Sequence, residues 1–385
     1  MRFRHPDGSV IHLAYCTNVH AAEDPEGVID QLGRFAGPVR EALGASRLGV
    51  GLWVAAPALD ELLRDRARLG KLRSELERLR LEVVTLNGFP YRAFHAPVLK
   101  HSVYLPDWAD PDRAAYTREL VLLLLDLLPP DAEEGSISTL PLGWREGWSP
   151  ARHDQAKRAL EAVARSLAES AARTGRRVRL ALEPEPGCVV ETLEQATAIL
   201  GEVDPEWIGL CLDTCHLAVG FEDAASAVQA AAAAGIPIVK AQLSCALRIE
   251  RPYLPAEIAL LESFVETRFL HQVRERTAAG TQGADDLDRA LDGELPAHGE
   301  WRVHFHIPVH HGGARSTQPE LIEALAVLLR GPRPVTRHLE VETYTWSVLP
   351  ADRRPAGEDG LVAGLVAELT WVRERLEELG LEETP

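Results

Sequence analysis

Short apolar runs alternate with longer amphipathic segments along most of this 385-residue chain. Eight runs have the length and composition of buried strands, and stretches with helical periodicity separate most of them; the runs are 10–16, 48–54, 81–86, 136–142, 178–183, 208–212, 238–243 and 338–343. Strands that alternate with helices in this way form parallel sheets, because parallel neighbours need a crossover connection. Eight such units predict an α/β fold, specifically a (β/α)8 TIM barrel.

One segment interrupts this rhythm. Residues 246–312 contain a helical stretch, a Gly- and Asp-rich stretch and a histidine-rich run. Because they follow the seventh predicted strand, we expect an insertion over the barrel mouth where the strands end. Residues 360–380 predict one amphipathic helix. We therefore predict one TIM-barrel domain over residues 1–385, with this insertion and a C-terminal helix.

Acidic side chains stand at the ends of several predicted strands. Asp213 directly follows the sixth run, His216 comes three residues later, and the fifth run ends at Glu183. In a β/α barrel the strand ends and the loops that follow them build the active site. Asp213 could instead cap the next helix while His216 packs in its first turn. Carboxylates at several separate strand ends favour a metal site.

The last predicted strand offers two glutamates as ligands. We prefer Glu342 over Glu340 because Glu342 lies nearer the C-terminal end, and we expect Glu340 to face the opposite side. The seventh run carries Gln242 near its end. An amide oxygen can bind a hard divalent cation, but it suits zinc less well than imidazole does.

Aromatic loops follow the third and fourth runs. The first begins at Asn87 and continues for more than 20 residues through several aromatic residues and prolines to Pro111. A loop of this length predicts a lid or wall over the site, although a tightly packed surface loop has the same composition. Trp144 lies in the second loop.

The composition argues against several partners. The net charge of −17 disfavours nucleic acid and anionic membranes, both of which need a basic footprint. Five cysteines, an odd number without paired spacing, favour a reducing compartment. The N-terminus lacks the apolar core of a signal peptide, and the longest apolar run is broken by Asp126. We expect a cytoplasmic protein without membrane insertion, and the oligomeric state stays open.

These residues together resemble the xylose isomerase-like TIM barrels, and Leu212 to His216 is similar to a signature of that superfamily. Within it, the chain most closely resembles the metabolite-traffic protein EboE family, through the segments 12–20 (HLAYCTNVH), 87–91 (NGFPY) and 305–310 (FHIPVH). The superfamily resemblance implies metal ligands at Glu183, Asp213, the end of the seventh strand and the last-strand glutamate. The family resemblance implies a role in handling secondary-metabolite precursors.

The chain departs from the superfamily pattern at Gln242, where many members carry histidine. Strand parity places His304, His306 and His310 on one side of their run if the strand is regular. We predict that His306 supplies the missing nitrogen ligand. The alternative is that these imidazoles only pack and form hydrogen bonds within the insertion.

The resemblance implies a divalent-metal-dependent isomerase or epimerase that acts on a small polyol, sugar or sugar-like metabolite. The cation would be Mn²⁺, Mg²⁺ or Zn²⁺, with Glu183 and Glu342 as the catalytic carboxylates. The predicted metal ligands are Glu183, Asp213, His216, Gln242, His306 and Glu342, and the predicted substrate contacts are His20, Asn87, Trp144 and His310. A non-catalytic metabolite-binding protein and an endonuclease IV-like phosphodiesterase are the alternative functions.

Overall fold

A computed structural model of the protein describes residues 1–384. The strands are β1 Arg2–Arg4, β2 Val10–Cys16, β3 Leu48–Gly51, β4 Leu81–Glu82, β5 Thr85–Asn87, β6 Glu134–Thr139, β7 Arg177–Leu182, β8 Ile208–Asp213, β9 Ile238–Leu243, β10 Cys245–Ile249, β11 Val273–Thr277, β12 Gly280–Ala284, β13 Glu300–Ile307, β14 His338–Val341 and β15 Glu382–Thr384. The helices are α1 Pro25–Gln31, α2 Gly37–Ala42, α3 Ala56–Arg64, α4 Arg66–Arg78, α5 Pro111–Leu127, α6 Pro150–Thr174, α7 Leu193–Leu200, α8 Thr214–Val219, α9 Ala224–Ala233, α10 Pro255–Glu262, α11 Leu287–Arg289, α12 Gln318–Leu329 and α13 Gly357–Glu378.

The parallel strands close into a barrel. β5 to β9 pair in sequence order, and β14 pairs in parallel with both β9 and β2. β2 then pairs with β3, which contacts the third barrel strand through β4 and through a bridge between Leu52 and Leu86. The third strand consists of two short pieces, β4 and β5, where the sequence predicts one. The predicted (β/α)8 architecture is confirmed.

A buried ion pair fills part of the barrel interior. The ammonium of Lys240 on β9 contacts the carboxylate of Glu340 on β14, and both side chains are fully buried. A Cβ atom on Gly51 would overlap the Glu340 carboxylate, so the neighbouring strand leaves room for it. The expectation that Glu340 faces away from Glu342 is therefore wrong. Residues two apart on a strand share a face, and Glu340 lies inside the barrel.

The segment that follows β9 forms a separate sheet. Its strands are antiparallel in the order β10-β13-β11-β12. The insertion also contacts the long loop after the third barrel strand, because the backbone N–H groups of Leu99 and Lys100 both donate to the carbonyl of Arg268, at 2.8 and 2.7 Å. The loop and the insertion therefore form one continuous cover.

The sequence did not predict the short strands near the two ends of the chain. Of these, β1 pairs antiparallel with both β2 and β15.

Two further features concern membrane-spanning helices and cysteines. Within residues 1–384, no helix combines the length and the apolar character needed to cross a bilayer. The cysteines are free thiols, and each is buried: Cys16, Cys188, Cys211, Cys215 and Cys245.

Candidate metal centre

Three carboxylates from three separate strand ends meet inside the barrel mouth. Glu183 directly follows β7, Asp213 ends β8 and Glu342 directly follows β14. One oxygen from each lies within 4.8 Å of the others, and all three side chains are buried. The strands bring together groups that are up to 159 positions apart in the chain, because parallel strands end at the same rim of a barrel.

The electrostatics of this cluster call for a cation. Within the described chain, Oε2 of Glu183 and Oδ2 of Asp213 have no hydrogen-bond partner. Burial and the neighbouring carboxylates raise the pKa of both Glu183 and Glu342 well above the usual range. Buried, unpaired carboxylate oxygens this close together are unfavourable unless a cation compensates their charge. The oxygen donors fit a hard divalent cation such as Mg²⁺ or Mn²⁺.

Asp213 caps a helix and also faces the carboxylate cluster. Its Oδ1 accepts a hydrogen bond from the backbone N–H of His216 at 2.9 Å, so the side chain caps α8. Oδ1 also accepts from the Ser244 hydroxyl at 2.8 Å. These two bonds hold the carboxylate in place, while Oδ2 remains free to face the other acidic groups.

Three imidazoles converge beside the carboxylates. Nε2 of His304 lies 3.0 Å from Nε2 of His216 and 3.2 Å from Nε2 of His306. His216 comes from the first turns after β8, whereas the other two come from β13 of the insertion. Each Nδ1 atom has an oxygen acceptor. The acceptor is the side-chain oxygen of Gln272 for His304 (2.7 Å), the backbone oxygen of Pro184 for His216 (2.9 Å) and the backbone oxygen of Glu342 for His306 (2.7 Å).

These contacts determine which ring nitrogen carries the proton. A carbonyl oxygen can only accept, so each ring donates through Nδ1–H. Burial and the adjacent imidazoles lower the pKa of His304 well below its usual range, and burial lowers the pKa of His306 to about 4. His304 and His306 therefore turn Nε2 lone pairs towards each other beside Nε2 of His216, an arrangement that a bound cation stabilises. Asp213 also has an oxygen within 4.8 Å of nitrogens of His216 and His306.

Gln242 lies next to this cluster. It pairs in register with Asp213 on one side and with Glu340 on the other. Among residues 1–384, neither atom of its buried amide has a hydrogen-bond partner. Its carbonyl oxygen is thus available as a weak ligand.

A cavity of about 50 Å³ opens above the carboxylates and imidazoles. Its inner end is lined by Asn18, Glu183, Glu185, His216, His304, His306 and Glu342. The amides of Asn18 and Asn87 both donate to Oε1 of Glu342, at 2.7 and 2.8 Å. Asn87, predicted to contact substrate, therefore positions a carboxylate instead.

The other predicted substrate contacts lie elsewhere. His20 stacks on Phe35 with ring centres 4.2 Å apart, and Trp144 stacks on Tyr104 at 5.0 Å. His310 packs against His311. As far as the described residues define its walls, none of His20, Trp144 and His310 lines this cavity.

A polar network that the sequence did not indicate joins the insertion to the long loop. The hydroxyl of Tyr104 donates to Glu185 at 2.6 Å and accepts from Nε2 of Gln272 at 2.9 Å. The carbonyl oxygen of Gln272 holds Nδ1 of His304. These residues are far apart in the chain and carry no recognisable spacing. The sequence analysis also missed Lys240, the buried partner of Glu340. Lys240 had a sequence signal, because it lies two positions before Gln242 and so shares its face.

Comparisons with known proteins agree with this architecture. Residues 49–247, just over half of the chain, match the family described as xylose isomerase-like TIM barrel. A sequence search of curated proteins gives no match. Among solved structures, an L-ribulose 3-epimerase has 15% sequence identity and a TM-score of 0.51, with 96% of this chain and 95% of that chain covered.

Two further solved structures have the same fold. A D-allulose 3-epimerase from Methylomonas sp. is 14% identical with a TM-score of 0.51, covering 98% of this chain and 100% of that one. A xylose isomerase-like TIM barrel protein from Mycobacterium smegmatis in complex with magnesium is 14% identical with a TM-score of 0.52, covering 96% and 97%. At these identities the likeness concerns the fold. On the family match and this architecture, the chain belongs to the xylose isomerase-like TIM barrel family.

Proposed function

We propose that the chain is a divalent-metal-dependent isomerase or epimerase that acts on a small polyol, sugar or sugar-like metabolite. The observation that carries this proposal is the meeting of Glu183, Asp213 and Glu342 beside a cavity. Glu183 and Asp213 each have an unpaired oxygen among the described residues, and Glu183 and Glu342 line the cavity. The epimerases with the same fold, named for L-ribulose and D-allulose, support the class of reaction.

The predicted ligands fall into an oxygen-rich and a nitrogen-rich group. Glu183, Asp213 and Glu342 would hold the cation, and His216 and His306 offer nitrogen donors beside Asp213. His304, which was not among the predicted ligands, belongs to the same nitrogen group. The carboxylates suit Mg²⁺ or Mn²⁺, whereas the imidazoles favour Mn²⁺ or Zn²⁺. When bound, such a cation supplies Lewis-acid polarisation of a carbonyl or hydroxyl oxygen.

The chain's own carboxylates would move the proton. In an epimerisation, one carboxylate takes the proton from the carbon beside a carbonyl, and a second returns a proton to the opposite face. Glu183 and Glu342 stand on different strands of the barrel and both line the cavity. The amides of Asn18 and Asn87 orient Glu342 through Oε1. Oε2 of Glu342 takes no part in these two bonds and would be the oxygen that transfers the proton.

A second candidate is a metabolite-handling protein that binds its ligand without turnover. Gln242 favours it, because an amide is a weaker ligand than the imidazole that many family members carry there. The resemblance to the EboE family adds a role in the traffic of secondary-metabolite precursors. On this reading the barrel would bind metal and metabolite but transfer no proton.

Proton exchange with solvent separates the two candidates. The full chain, loaded with Mn²⁺, is incubated in D₂O with a panel of ketoses, aldoses and polyols, and deuterium at carbon is followed by NMR. We expect exchange that stops with a chelator and returns with Mn²⁺. Glu133→Gln, which changes an exposed glutamate, is the control and should exchange like the parent. Binding of a panel compound without exchange would favour the handling protein.

A further inference from the structure

The outer half of the cavity is apolar. Its wall consists of Phe89, Phe94, Leu99, Val103, Phe269 and Leu270. The first four belong to the long loop after the third barrel strand, and the last two belong to the insertion. The wall therefore forms only where these two segments meet, at the hydrogen bonds that join Leu99 and Lys100 to Arg268.

The apolar wall is continuous with the imidazole cluster. The ring of Tyr344 lies 4.7 Å from that of His306 and 4.9 Å from that of Phe269. Phe94 follows, with its ring centre 5.1 Å from that of Phe269. A ligand that reaches the inner oxygens and nitrogens therefore extends along aromatic and aliphatic side chains.

The charges that face the cavity disfavour an anionic ligand. Glu183, Glu185 and Glu342 are acidic, and Lys100 is the one lysine or arginine that the described chain contributes to the lining. The ammonium of Lys100 already contacts the carboxylate of Asp286 and donates to the carbonyl of Glu266 at 3.2 Å. Beyond the proposed metal, a phosphate or carboxylate would meet the Glu185 carboxylate and apolar side chains, and no unpaired lysine or arginine among the described lining residues. Sugar phosphates and sugar acids fit the cavity poorly.

A free polyol also fits only half of the cavity. Hydroxyl groups along its outer part would lose hydrogen bonds to water and gain none from the six apolar side chains, which is unfavourable. Hydrocarbon in the same place would be removed from water, which is favourable by roughly fourfold in affinity for each buried methylene, equivalent to about 0.8 kcal/mol.

We infer that this protein's substrate is an uncharged amphipathic molecule. Its hydroxyl- or carbonyl-bearing head binds at the carboxylates and imidazoles, and a hydrocarbon or aromatic group lies against Phe89, Phe94, Leu99, Val103, Phe269 and Leu270. The inference rests on the proposed metal-dependent function and narrows its substrate class. Sugars and polyols that carry an aliphatic or aromatic substituent belong to this class.

Hydroxamates of increasing chain length test the apolar wall. A hydroxamate head binds a divalent cation through its oxygens, so the head stays constant while the tail grows. The full chain loaded with Zn²⁺ is titrated with acetohydroxamate and octanohydroxamate by calorimetry, after its metal content has been measured. We expect octanohydroxamate to bind at least about 30-fold more tightly, the gain from burial of a few methylenes.

Two variants locate the gain. Leu99→Asn places a polar group in the wall, and Val103→Asn does the same at a half-buried position with less risk to folding. Either substitution should weaken octanohydroxamate binding by roughly tenfold, as expected when two or so methylenes lose apolar contact, and leave acetohydroxamate binding unchanged. Leu122→Asn on α5, where the side chain is exposed, is the matched control and should bind both probes like the parent.

The possible failures are distinguishable. If the protein holds no divalent metal and acetohydroxamate does not bind, the proposed function is wrong, and the inference is overturned with it. If metal and acetohydroxamate bind but the longer tail adds nothing, the inference alone is overturned. The inference alone is also overturned if the longer tail adds affinity but neither Leu99→Asn nor Val103→Asn reduces it.

Discussion

The imidazoles of His216, on the barrel, and His304, on the insertion, face each other with their Nε2 atoms 3.0 Å apart. Each ring is oriented by an oxygen at its Nδ1 atom. The insertion therefore does more than cover the barrel, because it brings nitrogen donors to the rim where the barrel supplies carboxylates. The completed centre depends on both parts of the chain.

Replacement of Asp213 by Ala should reduce bound divalent metal to trace levels. Asp213 is the residue that contributes to both the carboxylate group and the mixed carboxylate–imidazole group. Elemental analysis of the purified protein measures the effect. Because Asp213 also caps α8, Asp213→Asn serves as a second variant that retains capping capacity and should still lose most of the metal. Full metal occupancy in both variants would remove Asp213 from the site.

Glu340→Gln should destabilise the fold without emptying the metal site. The carboxylate neutralises Lys240 inside the barrel, and the loss of one member of a buried ion pair costs about 3–5 kcal/mol. Urea unfolding measures this loss, and elemental analysis should find the parent's metal content. The double variant Lys240→Met/Glu340→Leu should recover much of the stability, since no uncompensated charge remains. A single variant as stable as the parent would contradict the assigned pair.

His306→Ala should weaken metal binding by about tenfold or more, equivalent to about 1.4 kcal/mol. Its Nε2 atom lies 3.2 Å from that of His304, and its Nδ1 atom is held by the carbonyl of Glu342. Competition with a metal-responsive dye measures the affinity. His310→Ala, from the same histidine-rich run but away from the cavity wall, is the control and should bind metal normally. Equal affinity in parent and His306→Ala would mean that the imidazoles serve packing only.

Glu368 on α13 should make stability depend on pH. Burial raises its pKa from 4.5 to about 7, although Thr343, the backbone of Val309 and Trp346 donate hydrogen bonds to it. Below pH 4.5 the group is protonated in both folded and unfolded chains, and its contribution is fully present. Between pH 4.5 and 7 the unfolded carboxyl ionises first, so this contribution falls by about 3 kcal/mol.

The variant Glu368→Gln isolates that contribution. Its stability relative to the parent should rise between pH 4.5 and 7 and then level off, because glutamine does not ionise. Parallel urea unfolding series across this range measure the difference and cancel the effects of other titrating groups. A difference that does not change with pH would contradict the raised pKa.

The sequence by itself determined the barrel and the positions of three acidic side chains of the candidate site. Val10–Cys16 and Ile238–Leu243 have the same bounds in the prediction and in the structure, since strands buried on both faces are nearly continuous apolar runs. Once the strands are parallel, Glu183, Asp213 and Glu342 must meet at one rim, because each stands where its strand ends.

Only the tertiary structure decided how the insertion completes the centre. His304 reaches His216 across 88 positions, and Gln272 orients His304 through a contact that no local pattern encodes. The apolar wall likewise exists only where Leu99 and Phe269 face one cavity. Periodicity reports which face of one element is buried, whereas these contacts depend on how β10, β13 and the long loop pack on the barrel. That packing arises from many weak interactions between segments distant in the chain.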